Sequence, residues 1–209
     1  MNWKKIWFFI WKDDSLLSWL VNVVLAIIIV KFIIFPALGF ALNTGFPVVA
    51  VVSCSMEHGI TNCGNDNREE VLCGDNNLEE EITNFDDYWE ICGAWYEDNA
   101  ISKESFIGFS FSNGFNKGDI MVLYGVKMKD VNVGDVIVFD SGLNSAPIIH
   151  RVVGVDENGV TTKGDHNIRS ESFEKDIKED EIFGKAVFRV PYLGWVKVVF
   201  SDLVGGVLR

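Results

Sequence analysis

Leu16 to Phe35 is a run of twenty residues with one charge, Lys31, and only Ser18 and Asn22 as further polar members. About twenty consecutive apolar residues are what a helix needs to cross the hydrocarbon core of a bilayer. A soluble domain of this size rarely buries a helix of that length that is apolar on every face. The run therefore predicts a transmembrane helix over 16–35. A cleaved leader fits less well, because its apolar part usually runs ~7–15 residues and a small-x-small cut site follows promptly. Lys31 lies near one end of the run, where its long stem can snorkel to the interface.

The flanks set an orientation. Lys4, Lys5 and Lys12 precede the run, and the next basic residue after Lys31 is Arg68. Positive residues stay on the cytoplasmic side, so 1–15 is expected in the cytoplasm and the remainder outside it. Trp3, Trp7 and Trp11 crowd the same flank, and tryptophan favours membrane interfaces. An amphipathic interfacial turn is expected there.

The 209-residue chain has 18 Lys and Arg against 30 Asp and Glu, a formal charge of −12. So acidic a chain is a poor ligand for nucleic acid, whose phosphates need clustered bases. The excess is local. Residues 57–106 hold 14 of the acids and two bases, Arg68 and Lys103.

From Phe46 onward, short β-branched runs alternate with turn residues. Strands are expected at 47–52, 120–124, 136–139, 148–155, 160–163 and 186–190. Gly118-Asp119 and Gly134-Asp135 each precede one, and Asn158-Gly159 is a hairpin signal between two. The pattern predicts a mainly β domain over 46–209. Residues 57–117 interrupt it with three of the four cysteines and a set of aromatics. Leu78 to Trp95 has near-helical apolar spacing and could hold a short acidic helix. A final strand near the membrane surface is expected within 192–200.

Candidate chemistry is limited by the few available bases, His58, His150 and His166. The cysteines, Cys54, Cys63, Cys73 and Cys92, form no C-x-x-C or C-x-x-H pair, which argues against a metal site. Cys54 has no local mark of an activated thiolate. Cys63, Cys73 and Cys92 are disulfide candidates in an exported segment, with one left over. Ser55 follows the strand at 47–52, and a strand-end serine can be both rigid and exposed. It needs a base, because a free hydroxyl is a poor nucleophile at neutral pH. His150, in an apolar strand, is compatible with that role or with a plain core position. Asp165, and after it Glu171, are carboxylates that could orient it.

Five blocks in order carry a resemblance. Ser53-Cys54-Ser55-Met56-Glu57, Gly134-Asp135-Val136-Ile137-Val138-Phe139, His150-Arg151-Val152-Val153, Lys163-Gly164-Asp165-His166-Asn167 and Val190-Pro191-Tyr192-Leu193-Gly194-Trp195 lie behind one N-terminal span. Here the chain resembles type I signal peptidases of the archaeal and endoplasmic-reticulum branch. The resemblance covers the span, 46–56 and 118–200. It implies a signal-peptidase-like β catalytic domain anchored by one transmembrane helix, with a long acidic insertion at 57–117. It makes Ser55 the nucleophile and puts His150 where the bacterial branch has its lysine base. Asp165 matches the aspartate of the G-D box, and Glu171 stands where the family has a second aspartate, so Asp165 ranks first as the third member. Ser53 matches the residue whose hydroxyl helps the Ser55 N–H hold the oxyanion.

The implied function is a membrane-bound serine endopeptidase that removes signal peptides from exported preproteins after small residues. Its partners would be those signal peptides, the export translocon and the lipid bilayer, with no cofactor and no metal. Its place would be the cell membrane, single-pass, with the catalytic domain outside the cytoplasm. A rival from another class is a catalytically inactive, membrane-anchored peptide-binding or translocon-associated scaffold. A Ser-Lys autoprotease would need a lysine at position 150. For 57–117 the plain expectation is a folded excursion on the outer face. The sharper one is a contact surface for a basic partner.

Overall fold

The computed structural model describes residues 3–59, 72–75, 82–142 and 146–194. Cys63, Leu78 and residues 195–200 lie outside them. The N-terminal part is helical. Helix α1 (Trp3–Trp11) folds back on α2 (Leu16–Ile29). Ser15 caps α2, its side chain accepting from the Ser18 N–H. Ser18 Oγ donates to Phe9 O, and Asn22 Nδ2 donates to Ile10 O at 2.9 Å. The two polar residues of the apolar run thus satisfy carbonyls that the end of α1 leaves without intrahelical partners.

The apolar helix continues past Phe35. A π-helical turn (Val30–Ile34) leads into α3 (Phe35–Ala41). Pro36 has no N–H to give to the preceding turn. The wider turn absorbs this, and the Phe35 N–H reaches back to Val30 O. The continuous stretch Leu16–Ala41 is 26 residues, long and apolar enough to cross a membrane.

The rest is a six-stranded antiparallel sheet in the order β1-β2-β6-β3-β4-β5. The strands are β1 (Val48–Ala50), β2 (Ile120–Tyr124), β3 (Val136–Phe139), β4 (Ile148–Val155), β5 (Val160–Lys163) and β6 (Ile182–Val190). Strand β6 begins four residues before the expected start. Gly184, opposite Val138, sits where the β3–β6 register shifts, and a Cβ there would lie 2.8 Å from Tyr124 O. Between β4 and β5, Asp156 Oδ1 accepts the Asn158 and Gly159 N–H groups of the hairpin turn.

Every residue of β3 is buried. Val136 and Val138 join one cluster with Val51, Met56, Phe115 and Leu123. Ile137 and Phe139 join another with Val152, Val160 and Ile177. An apolar run without alternation marks a strand covered on both faces.

Within 57–117 the helix is α4 (Phe85–Asp98), followed by α5 (Lys103–Ile107). It starts after the expected Leu78, at a capping box in which Asn84 accepts the Asp86 and Asp87 N–H groups. Tyr88, Trp89, Cys92 and Tyr96 form its buried face, and with Phe106 and Val153 they build a third cluster. The described part of the segment that holds α4 and α5 therefore packs against β4 through Val153.

Helix α3 and the sheet are tied closely. The Gly125 N–H donates to Leu42 O at 2.8 Å, and Thr44 Oγ1 donates to Phe183 O at 2.6 Å. A Cβ on Gly125 would fall 1.8 Å from Asn43 O, so the approach requires glycine. The expected strand at 192–200 does not begin within 192–194. The chain turns there, and the Gly194 N–H donates to Gly118 O at 2.8 Å.

Candidate active site

Ser55 sits in the turn that follows β1, half-buried. His150 lies in β4 opposite Ile137 of β3 and is 6% exposed. The sheet brings the two together across 95 residues of sequence, with His150 Nε2 2.9 Å from Ser55 Oγ. The other ring nitrogen, Nδ1, is hydrogen-bonded to Glu174 Oε1. Glu174 is fully buried. Its Oε2 accepts the Glu171 N–H at 2.8 Å, and Thr162 Oγ1 donates to Oε1 at 3.4 Å. A serine hydroxyl, an imidazole and a buried carboxylate thus form one hydrogen-bonded line. Such a line lets the imidazole take a proton from the hydroxyl while the carboxylate fixes its tautomer and steadies the cation formed.

Asp165 and Glu171, the two carboxylates expected beside His150, do not occupy this place. Both ring nitrogens of His150 are already taken by Ser55 and Glu174. Glu171 is exposed and contributes its backbone N–H to Glu174. Asp165 is buried behind the site in a different network. Arg151 Nε donates to Asp165 Oδ1 at 2.9 Å and Arg151 Nη2 to Oδ2 at 2.7 Å. His58 Nε2 lies 2.9 Å from Oδ2. Burial by itself would raise the Asp165 carboxyl, but the Arg151 charge and the hydrogen bonds from His58 and Arg151 outweigh it. The carboxyl is held well below the usual carboxylate range. For His58, burial outweighs the pull of Asp165 and lowers the imidazole.

Glu174 was not among the sequence candidates, although a signal for it is present. Glu171-x-x-Glu174 has the spacing of a helix-start capping pattern, in which the second glutamate reaches back to a backbone N–H. The side chain does that with one oxygen, in the short 3-10 turn Ser172–Glu174, and turns the other to His150.

Ser53 is exposed, and its Oγ is 3.1 Å from Ser55 Oγ. Cys54, between the two serines, is disulfide-bonded and so offers no thiolate, a pairing beyond the candidates Cys63, Cys73 and Cys92. Cys73 and Cys92 are bonded to each other. Lys163, from the fourth sequence box, is buried away from Ser55. Its Nζ donates to Gly164 O at 3.0 Å and lies over the Trp95 and Tyr96 rings.

No protein-family model matches the chain. Among curated proteins it is similar to the signal peptidase complex catalytic subunit SEC11 of Fusarium vanettenii, 31% identical over 103 residues, which is 44% of this chain and 60% of that protein. Against SEC11 of Colletotrichum graminicola it is 30% identical over the same shares. Against SEC11C of Homo sapiens it is 29% identical, covering 44% of this chain and 54% of that one. The chain thus spans 60% or less of the length of these relatives. They bear out the resemblance read from the sequence boxes, since each is named as a catalytic subunit of a signal peptidase complex.

Proposed function

We propose that this chain is a membrane-anchored serine endopeptidase that removes signal peptides from exported preproteins after small residues. The observation that carries the reading is the 2.9 Å contact of Ser55 Oγ with His150 Nε2, backed by the buried Glu174 at Nδ1. A peptide-binding scaffold has no use for a nucleophile, a base and an orienting acid in line.

In the proposed reaction, His150 Nε2 takes the Ser55 proton as Oγ attacks the carbonyl carbon of the bond to be cut. Glu174 stabilises the imidazolium that forms. The Ser55 N–H and the Ser53 hydroxyl are the donors for the oxyanion, a type of contact that contributes roughly 3–4 kcal/mol to barrier lowering. The new amine leaves with the Nε2 proton, and the signal peptide stays as an acyl ester on Ser55. Water, deprotonated by His150, then releases it.

Residues 46–209 are the catalytic domain in this reading. Lys4 and Lys12 hold the N-terminus in the cytoplasm, and the domain stands outside. The Cys73–Cys92 bond and the disulfide at Cys54 support that side, because disulfides persist in oxidising compartments. The apolar part of the preprotein would lie in the bilayer beside Leu16–Ala41, close to the export translocon. The short tie between α3 and the sheet keeps Ser55 near the membrane plane, where cut sites emerge. Tethering of this kind raises effective concentration without any new contact.

The test is cleavage of a signal-bearing preprotein by the full chain in membranes. The wild type should release the mature protein, and Ser55→Ala and His150→Ala should each abolish release. Full activity in either variant overturns the proposal. Signal-peptide binding without cleavage by the wild type would favour the scaffold.

A further inference from the structure

We infer that Tyr88 and Tyr96 of α4 are positioning residues, which hold the Ser55 turn in its reacting geometry by way of Asp165. The inference rests on the peptidase reading above. It gives the 57–117 segment a task inside the catalytic frame.

Tyr88, Cys92 and Tyr96 recur every four residues and share the inner face of α4. Both tyrosine hydroxyls end on one residue. Tyr96 Oη donates to Asp165 Oδ1 at 3.0 Å, and Tyr88 Oη donates to Asp165 O at 2.9 Å. Side chain and main chain of Asp165 are thus held from the same helix. A third point of attachment comes from the disulfide partner of Cys92, since the Cys73 N–H donates to His166 O at 3.0 Å.

The turn held in this way is the one against which the nucleophile lies. The His166 N–H donates to Ser55 O at 2.9 Å, and His166 Nδ1 lies 3.0 Å from Glu57 O. A Cβ on Gly164 would come within 2.8 Å of Ser55 O. The Asp165 N–H points at Met56 Sδ at 3.4 Å. Residues 164–166 therefore template the main chain of Ser55, Met56 and Glu57. The 57–117 segment also supplies the Ser110 and Phe111 carbonyls, which accept two further Arg151 N–H groups at 2.7 and 2.9 Å, beside Gly134 O at 3.1 Å. Catalytic geometry tolerates about 0.5 Å of error. Loosening Asp165 would move Ser55 Oγ on His150 without touching either residue.

Tyr88→Phe, Tyr96→Phe and the double variant remove only hydroxyls. The full chain in membranes would be assayed for preprotein cleavage, with kcat and KM measured separately and normalised to folded protein. Hydrogen exchange would be followed in 53–58, 164–167 and 85–98. We expect kcat to fall about tenfold in the single variants and up to about 100-fold in the double variant. KM should stay within about twofold, and exchange should rise in 53–58 and 164–167 while 85–98 stays protected. Wild-type kcat per folded molecule with unchanged exchange in 53–58 overturns the inference, even if the thermal midpoint falls. Should the double variant not fold, the single variants decide by the same readouts. A wild type that cuts no preprotein overturns the peptidase reading instead. Exchange in 53–58 then decides this inference alone, and an unchanged rate overturns it.

Discussion

Glu174 holds His150 Nδ1 from 24 residues downstream, while Asp165, inside a sequence box, is committed to Arg151. The two carboxylates divide the work. Glu174 faces His150, and Asp165 lies in the turn whose His166 N–H holds Ser55 O.

Glu174→Gln should therefore lower kcat for preprotein cleavage on the order of 10³- to 10⁴-fold, because the imidazolium loses its counter-charge and its fixed tautomer. Glu171→Gln should leave kcat near wild type, since His150 takes its carboxylate contact from Glu174 and a glutamine at 171 can keep the capping contact with the backbone. Steady-state kinetics on one preprotein substrate compares them. A large loss in Glu171→Gln with little in Glu174→Gln would reverse the assignment.

Asp165→Ala should act first on stability. It leaves the fully buried Arg151 guanidinium without its carboxylate. Removing one partner of a buried ion pair costs about 3–5 kcal/mol. A denaturant midpoint that barely moves would mean that the Ser110, Phe111 and Gly134 carbonyls satisfy Arg151 on their own.

How far the sequence reaches depends on how local each feature is. The strands were legible because β-branched runs and the Gly-Asp and Asn-Gly turns are short-range signals. The Ser55–His150 pairing followed from a resemblance in two boxes, and the sheet register then put them in contact. The third acid was not legible by offset, because the path from Asp165 to Glu174 includes a 3-10 turn that only the folded loop defines. The Cys54 disulfide and the burial of α4 are likewise tertiary facts, since neither spacing nor helical period says what a face will cover. The helix expected over 16–35 runs on through Pro36 to Ala41, because the π-turn before the proline absorbs its missing N–H.

The Cys73–Cys92 bond ties α4 to the 164–166 turn. Replacing both cysteines with serine should cost about 2–4 kcal/mol, chiefly by freeing the unfolded chain. Thermal unfolding of the variant against wild type under non-reducing conditions measures it. A change below about 0.5 kcal/mol would mean that the α4 aromatic packing suffices without the bond.

Lys163 gives the fold an alkaline signature. Burial lowers its ammonium, against the pull of Asp165 and Glu174 and with a push from Arg151, to about 8 from the ordinary 10.5. Below pH 8 the folded and unfolded chains both carry the proton, so the cost of the buried charge is fully present. Between about 8 and 10.5 the unfolded chain keeps a proton that the folded chain has lost, and stability rises with pH in that window. Relative to Lys163→Met, which has no such group, the wild type should gain up to roughly 3 kcal/mol from pH 8 to pH 10.5. Denaturant unfolding of both proteins at several pH values isolates the contribution from other titrating groups. A flat difference, or one that moves the other way, would mean that Lys163 keeps its charge in the folded state throughout.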